Sequence, residues 1–140
     1  MTAARFTAMG TILALVVMAG GCATMQKGPS DEEMIRSTLE AKWAAMKAED
    51  IDKTMAAYSE DFTGQNGATK SEVRQFFMDA IDQGYMEELE TDSEAMEIAV
   101  DGDTATAGPV TYSVSAGSGT VDYELRKENG EWKIVDAFMY

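Results

Sequence analysis

The chain has 140 residues, with 25 acidic and 11 basic side chains, a formal net charge of −14, one cysteine and no histidine. That length is typical of a single domain. The acidic balance argues against a nucleic-acid partner, because binding to phosphates requires a basic face. The absence of histidine excludes Ser-His-Asp and Cys-His catalysis and His-containing zinc sites. A single cysteine cannot form an intrachain disulfide.

The first 22 residues have the pattern of an export signal. Arg5 precedes an apolar run at 12–19, which is shorter than the roughly 20 residues of a transmembrane helix but typical of a secretory signal. The segment Ala19-Gly20-Gly21-Cys22 follows and resembles a bacterial lipobox, with Ala19 in place of the usual Leu. In a lipobox the cysteine receives a diacylglycerol and cleavage occurs just before it. The alternative is an ordinary signal peptide, but the only cysteine of the chain lies where the lipobox requires it.

This pattern divides the chain into three parts. We expect a lipoprotein signal peptide at 1–21, a lipidated tether at 22–29 and one folded domain at 30–140. Cleavage before Cys22 would leave 119 residues and, with Arg5 removed, a net charge of −15. Two or three acyl chains on Cys22 would anchor the protein stably in a membrane. Because Ala23 resembles an outer-membrane sorting signal, the expected location is the bacterial cell envelope, on the outer membrane facing the periplasm.

Three helices are predicted in the first half of the domain. Ser30 to Glu33 forms a capping box, and it opens a helix to about Ala48 whose apolar positions are Ile35, Leu39, Trp43 and Met46. Asp50 caps a short second helix at 51–58. A second capping box, Thr69 to Glu72, opens a third helix that stops at Gly84. The apolar stripe of this third helix is Val73, Phe76, Phe77, Ala80 and Ile81.

After Gly84 the pattern changes to the alternation typical of strands. One or two strands are expected within 87–100, and further strands at 104–114, 120–127 and 131–139. The turns between them fall at Asp101-Gly102, at 116–119 and at Asn129-Gly130, and Gly108-Pro109 indicates a bulge or bend. The acidic residues of 87–97 are typical of a solvated sheet face or edge. Helices followed by an antiparallel meander indicate an α+β domain.

Several short segments carry a resemblance to a known family. They are Trp43 within the first helix, then 50–53, 58–62, 70–77, 100–105 and 129–135. In this order and spacing they resemble the nuclear transport factor 2-like (NTF2-like) superfamily, with its cystatin-like cone, and the similarity to its small SnoaL-like members spans residues 30–139. The resemblance implies three N-terminal helices packed in a strongly curved antiparallel sheet, with an apolar pocket between the sheet and the helices.

One carboxylate and six aromatic residues are candidates for lining that pocket. The alternation of 132–140 places Asp136 on the same face as Trp132 and Ile134, where an unpaired carboxylate is costly unless it is protonated or open to a cavity. Asp136 is therefore the candidate catalytic residue, unless a bulge before it reverses its face or it is simply solvated at the strand end. The aromatic candidates, which equally suit a plain core role, are Trp43, Tyr58, Phe77, Tyr112, Tyr123 and Phe138.

Three functions remain open at this point. The favoured one is a non-catalytic envelope module that binds a small apolar ligand or a partner protein. The second is a carboxylate-dependent isomerase or hydrolase acting on a small hydrophobic substrate through Asp136. The third is assembly as a homodimer through the exposed sheet face, with Val110 and Val135 as surface candidates. No cofactor or metal is expected, because the methionines are scattered and no loop has calcium-ligand spacing.

Overall fold

The computed structural model describes residues 27–140, so the predicted signal peptide and Cys22 lie outside the described residues. The helices are α1 (Asp31–Lys47), α2 (Ile51–Ala56) and α3 (Lys70–Asp82), with a 3-10 turn at Gln65–Gly67 before α3. The strands are β1 (Glu90–Asp92), β2 (Glu97–Asp101), β3 (Thr104–Val114), β4 (Gly117–Glu128) and β5 (Glu131–Met139). Within 27–140, no helix has the length and apolar character needed to cross a membrane.

All three predicted helix starts are confirmed by their capping contacts. The backbone N–H of Glu33 donates to Ser30 Oγ at 3.2 Å, and the N–H of Ser30 donates to the Glu33 carboxylate at 2.7 Å. Thr69 and Glu72 form the same reciprocal pair at the start of α3. Asp50 caps α2 by accepting the Lys53 N–H at 3.1 Å. These caps satisfy N–H groups that a helix otherwise leaves without partners.

The strands form one antiparallel sheet, and the predicted α+β class is confirmed. The order is β1-β3-β4-β5, and β2 pairs with β3 further along the same strand. The turn between β4 and β5 has positive φ at both Asn129 (51°) and Gly130 (82°), which is the two-residue hairpin geometry that Asn-Gly favours.

Both edges of this curved sheet are protected. At one edge the short strands β1 and β2 expose their acidic side chains, as predicted for a sheet edge that discourages strand addition. At the other edge β5 is covered by 57–63, since the N–H of Ser59 donates to Ile134 O and the N–H of Ile134 donates to Ala57 O, both at 2.8 Å.

The core lies between α1 and the concave inner face of the sheet. Ile35 and Leu39 of α1 meet inner-face residues of the sheet, namely Ala105, Ala107, Val110, Val121, Tyr123, Leu125, Trp132 and Ile134. The prediction that Phe76 is part of a buried stripe is wrong, because its side chain is 57% exposed. The helix α3 packs mainly beside α2, and Ala80 is its buried residue.

Two register shifts bend the sheet. The first, between Ala107 and Val110, confirms the predicted irregularity at Gly108-Pro109. The second lies in β5, where Ile134 pairs with Leu125 but Asp136 pairs with the next residue, Glu124. Val135 is therefore an extra residue, and a bulge of this kind reverses the alternation of the residues that follow.

The Val135 bulge overturns three placements expected from simple alternation. Asp136 pairs with exposed Glu124 and faces outward, and Phe138, paired with Asp122, does the same with 38% exposure. Ala137, paired with Tyr123, takes the inner position instead. The expectation that Asp136 and Phe138 share the face of Trp132 is therefore wrong. Val110, expected at a dimer surface, is 1% exposed and faces the helices, because it follows the first register shift.

Candidate functional site

A lysine lies in the interior of the cone. Lys42 is 2% exposed, although a lysine is almost never fully buried unless its charge is paired. It falls three residues after Leu39 and seven after Ile35, so it shares their helix face. Ile35, Leu39, Lys42 and Met46 are all buried along α1.

Aromatic side chains surround the Lys42 amine. Nζ lies 3.4 Å from the centroid of the Trp43 ring, and 5.6 Å from the ring centroids of Phe77 and of Tyr123. Nζ also donates a hydrogen bond to the Tyr123 hydroxyl at 3.3 Å. We use the name aromatic chamber for Lys42, these three rings, and Tyr58 and Tyr112, which pack against Phe77 and Trp43.

The rings of the chamber also pack against one another. Trp43 stacks on Tyr112 with their centroids 5.9 Å apart and an interplanar angle of 26°. Tyr58 meets Phe77 edge to face at 6.3 Å. Offset stacking and edge-to-face contacts are the favourable arrangements for aromatic pairs, so these walls are held in place independently of the lysine.

Burial dominates the electrostatics of the chamber. It lowers the pKa of Lys42 to about 7, because the charged form loses its hydration. It also raises the pKa of Tyr58 and of Tyr123, which keeps both hydroxyls neutral. Among residues 27–140 no carboxylate forms an ion pair with Lys42; what favours its charged form is the face of Trp43, through a cation–π interaction. Near pH 7 the amine therefore exists in both protonation states.

The chamber contains N–H donors that are only partly used. The Trp43 indole N–H is buried and makes no hydrogen bond of normal geometry in the described part of the chain; its interaction with the Tyr123 hydroxyl lowers the pKa of that group, against the larger effect of burial. Lys42 has two or three N–H donors, depending on its protonation, and one contact to Tyr123. Buried donors normally have partners, so this chamber suits an oxygen acceptor from a carboxylate or a carbonyl group.

The same lysine also lines a groove on the outer side of α1. The groove has a volume of about 440 Å³, within the range of small-molecule sites. It runs between α1, α2 and the β4–β5 turn, and its lining includes Met34, Ala41, Lys42, Ala57 and Trp132. Lys42 thus belongs to both the groove and the chamber, and it is the residue that the two share.

The sequence-based candidates separate into two groups in the structure. Trp43, Tyr58, Phe77, Tyr112 and Tyr123 come together around Lys42. Asp136 and Phe138 do not join them, and the Asp136 carboxylate instead accepts the N–H of Ala137 at 2.7 Å. The catalytic hypothesis for Asp136 thereby loses the inward placement on which it depended.

No group of three or more acidic or cysteine side chains within 27–140 is arranged to hold a metal ion.

Sequence reasoning missed Lys42 itself. The apolar positions predicted for α1 include Trp43, the next residue, which is partly buried and forms one wall of the chamber. The spacing 35, 39, 42, 46 fits the helix face equally well, but a lysine on such a face is ordinarily interpreted as solvated.

Comparisons with known proteins agree with this architecture. The family model described as "Anti-sigma-I factor RsgI9, C-terminal domain" matches residues 37–139. A cystatin-like-fold protein of unknown function from Nostoc punctiforme is similar, with a TM-score of 0.64, 22% identity, and coverage of 78% of this chain and 89% of that chain. An NTF2-like protein of unknown function from Shewanella oneidensis also has a TM-score of 0.64, with 17% identity and coverage of 79% and 98%.

A third solved structure, a putative calcium/calmodulin-dependent protein kinase II association domain from Xanthomonas campestris, has a TM-score of 0.62 and 13% identity, and the coverage is 79% of this chain and 87% of that chain. Among curated proteins no match was found. These likenesses show the NTF2-like fold. Since the family model covers well over half of the sequence, the chain belongs to the family of anti-sigma-I factor RsgI9 C-terminal domains.

Proposed function

We propose that this protein is a lipid-anchored, non-catalytic binding domain of the bacterial cell envelope, and that its ligand is a small apolar molecule carrying an acceptor oxygen. The observation that carries the proposal is the Lys42 amine, which is buried among aromatic rings without a carboxylate partner. A buried charge without a partner is costly, and a bound carboxylate would supply that partner.

The shape of the site supports a ligand with an apolar body. The apolar part of the groove's lining is Met34, Ala41, Ala57 and Trp132, next to charged side chains at 33, 53, 131 and 133, and apolar surfaces of this kind favour aliphatic or aromatic groups. An oxygen at the inner end of such a ligand would give Lys42 Nζ an acceptor in addition to Tyr123. A medium-chain carboxylate such as octanoate has both features.

A regulatory binding role is also consistent with the family. The family's description names an anti-sigma factor, which is a regulatory protein rather than an enzyme. The membrane attachment depends on the lipobox-like segment ending at Cys22.

The homodimer through the outer sheet face stays a prediction. That face carries exposed Thr104, Thr106, Thr111 and Glu124, which favours a polar contact over an apolar one.

Ligand binding is tested by calorimetric titration of the purified chain with octanoate and, as the neutral match, octanol. Octanoate should bind more tightly than octanol, and more tightly at pH 6 than at pH 8.5, because the protonated amine attracts the carboxylate. Lys42→Met should remove the preference, whereas Lys47→Met, an exposed lysine on the same helix, should keep it. Equal octanoate binding by Lys42→Met and the wild type would refute the site.

Lipid attachment is tested separately by metabolic labelling with a radioactive fatty acid. The wild-type chain should carry the label in the membrane fraction, and Cys22→Ala should not. Labelling of Cys22→Ala at the wild-type level would show that the segment is not a lipobox.

A further inference from the structure

We propose that Lys42 captures small apolar aldehydes as a reversible imine, formed at the junction of the groove and the aromatic chamber. This proposal rests on the proposed function, since it names a reactive ligand class for the same site. It depends on three observations: the burial of the amine, the position of its hydrogen bond, and the place of Lys42 in the lining of the groove.

The hydrogen bond of the amine is compatible with a free electron pair. Nζ lies 3.3 Å from the Tyr123 hydroxyl, and while it donates to that oxygen the lone pair of the neutral amine is free to react. Trp43 stacks under the amine at 3.4 Å and fixes its position. The rings of Phe77 and Tyr123 surround it and exclude water, which disfavours hydrolysis of an imine once it has formed.

The reaction balances without any oxidant or reductant. The lone pair of Nζ attacks the carbonyl carbon and gives a carbinolamine. The two hydrogens of the neutral amine then leave with the former carbonyl oxygen as one molecule of water, and a C=N bond remains. The Tyr123 hydroxyl lies beside Nζ and can hydrogen-bond the oxygen as it departs. Addition of water reverses each step.

The chemical environment distinguishes Lys42 from the other lysines. With a pKa of about 7, about half of the amine is neutral at pH 7. An exposed lysine with an ordinary pKa near 10.4 is neutral to less than roughly 0.1% at that pH. Desolvation of a lysine in an apolar pocket is a known way to activate it as a nucleophile.

The test is reductive trapping of the purified chain at pH 7 with hexanal and sodium cyanoborohydride, followed by peptide mapping. We expect the hexyl adduct on Lys42 at an initial rate at least tenfold above that on Lys47 or Lys53. Lys42→Met should lose this fast adduct while its circular dichroism spectrum stays unchanged, and Lys47→Met should retain it. Tyr123→Phe should slow the trapping at Lys42 if the hydroxyl assists the loss of water.

Parallel octanoate titrations of the same preparations separate this inference from the proposed function. Lys42-dependent octanoate binding without a preferred Lys42 adduct would overturn imine capture and leave the binding function standing. A fast Lys42 adduct without octanoate binding would support imine capture and refute the carboxylate ligand. Equal labelling of Lys42 and Lys47 at pH 7 would overturn the inference directly.

Discussion

The indole N–H of Trp132 on β5 donates a hydrogen bond of 3.0 Å to the carboxylate of Asp31, the first residue of α1. The same carboxylate oxygen accepts from Lys127 Nζ at 2.8 Å. One side chain thus joins the start of α1 to both strands of the last hairpin. The hydrogen bond from Lys127, followed by that from Trp132, lowers the pKa of Asp31.

Replacement of Asp31 by alanine should lower the Tm at pH 7, because Trp132 loses its partner while remaining buried. A lowered carboxyl pKa stabilises the folded state above the unfolded value of about 3.9 and loses that effect as the pH falls through the folded value. The Tm difference from the wild type should therefore shrink below about pH 4. Thermal melts at pH 7 and pH 3 measure it. Asp52→Ala, which removes an exposed surface pair with Arg74, is the control and should have little effect.

Replacement of Lys42 by methionine should stabilise the protein most at low pH. The folded pKa of about 7 lies below the unfolded value of about 10.4, so unfolding takes up a proton between these two values. The wild-type free energy of unfolding should therefore rise with pH by up to about 1.4 kcal/mol per pH unit within that window. Below pH 7 the amine is charged in both states, and the cost of burying the charge, on the order of 5 kcal/mol, is fully present.

Urea denaturation of the wild type and Lys42→Met at pH 6, 7, 8 and 9 checks this prediction. The advantage of the methionine variant should fall steadily from pH 7 to pH 9. Of the titratable groups in the chamber, Tyr123 contacts Lys42, and Tyr58 and Tyr112 pack against the neighbouring rings; all three are common to both proteins. A stability difference that does not vary with pH would contradict the lowered lysine pKa. Lys47→Met should show no such pH dependence.

Replacement of Thr69 by alanine should destabilise the protein by about 1 kcal/mol, because α3 loses the side chain that accepts the Glu72 N–H. Chemical denaturation at pH 7 measures this change. Thr69→Ser keeps the accepting hydroxyl and should remain close to the wild type. An equal loss in both variants would show that the methyl group, and not the cap, matters.

Replacement of Gly108 by alanine should destabilise the protein by about 1–3 kcal/mol through overpacking. A Cβ at Gly108 would lie 2.0 Å from Asp122 Oδ1 and 3.0 Å from Asp122 Cα. Asp122→Ala in the same chain should relieve part of the loss but not all of it, because the backbone contact remains. Gly28→Ala is the matched control, since nothing lies within 4 Å of its added Cβ. A loss no larger than that of Gly28→Ala would show that the strands separate easily here.

Local signals explain why so much of the fold could be predicted. The capping boxes at Ser30 and Thr69 mark helix starts through contacts within four residues. The Asn129-Gly130 turn similarly fixes the last hairpin, through positive φ at both residues.

The remaining errors arise from interactions that are distant in sequence. The bulge at Val135 depends on how β5 pairs with β4 and with 57–63. The sequence of β5 by itself does not predict it. The burial of Lys42 depends on the rings of Phe77 and Tyr123 closing over α1. Neither partner is near Lys42 in sequence, so its residue type assigns it to solvent even though its spacing fits the buried helix face.

The extra residue in β5 also determines the charge balance inside the cone. If Val135 paired with Glu124 in a regular ladder, Asp136 would oppose Tyr123, whose hydroxyl contacts Lys42. The carboxylate would then be an internal counter-ion, and lysine and aspartate would neutralise each other within the core. Because the extra residue turns Asp136 outward, no carboxylate within residues 27–140 lies beside the Lys42 amine. The positive charge in the interior is then removed when Lys42 loses a proton, or balanced when a negatively charged molecule binds.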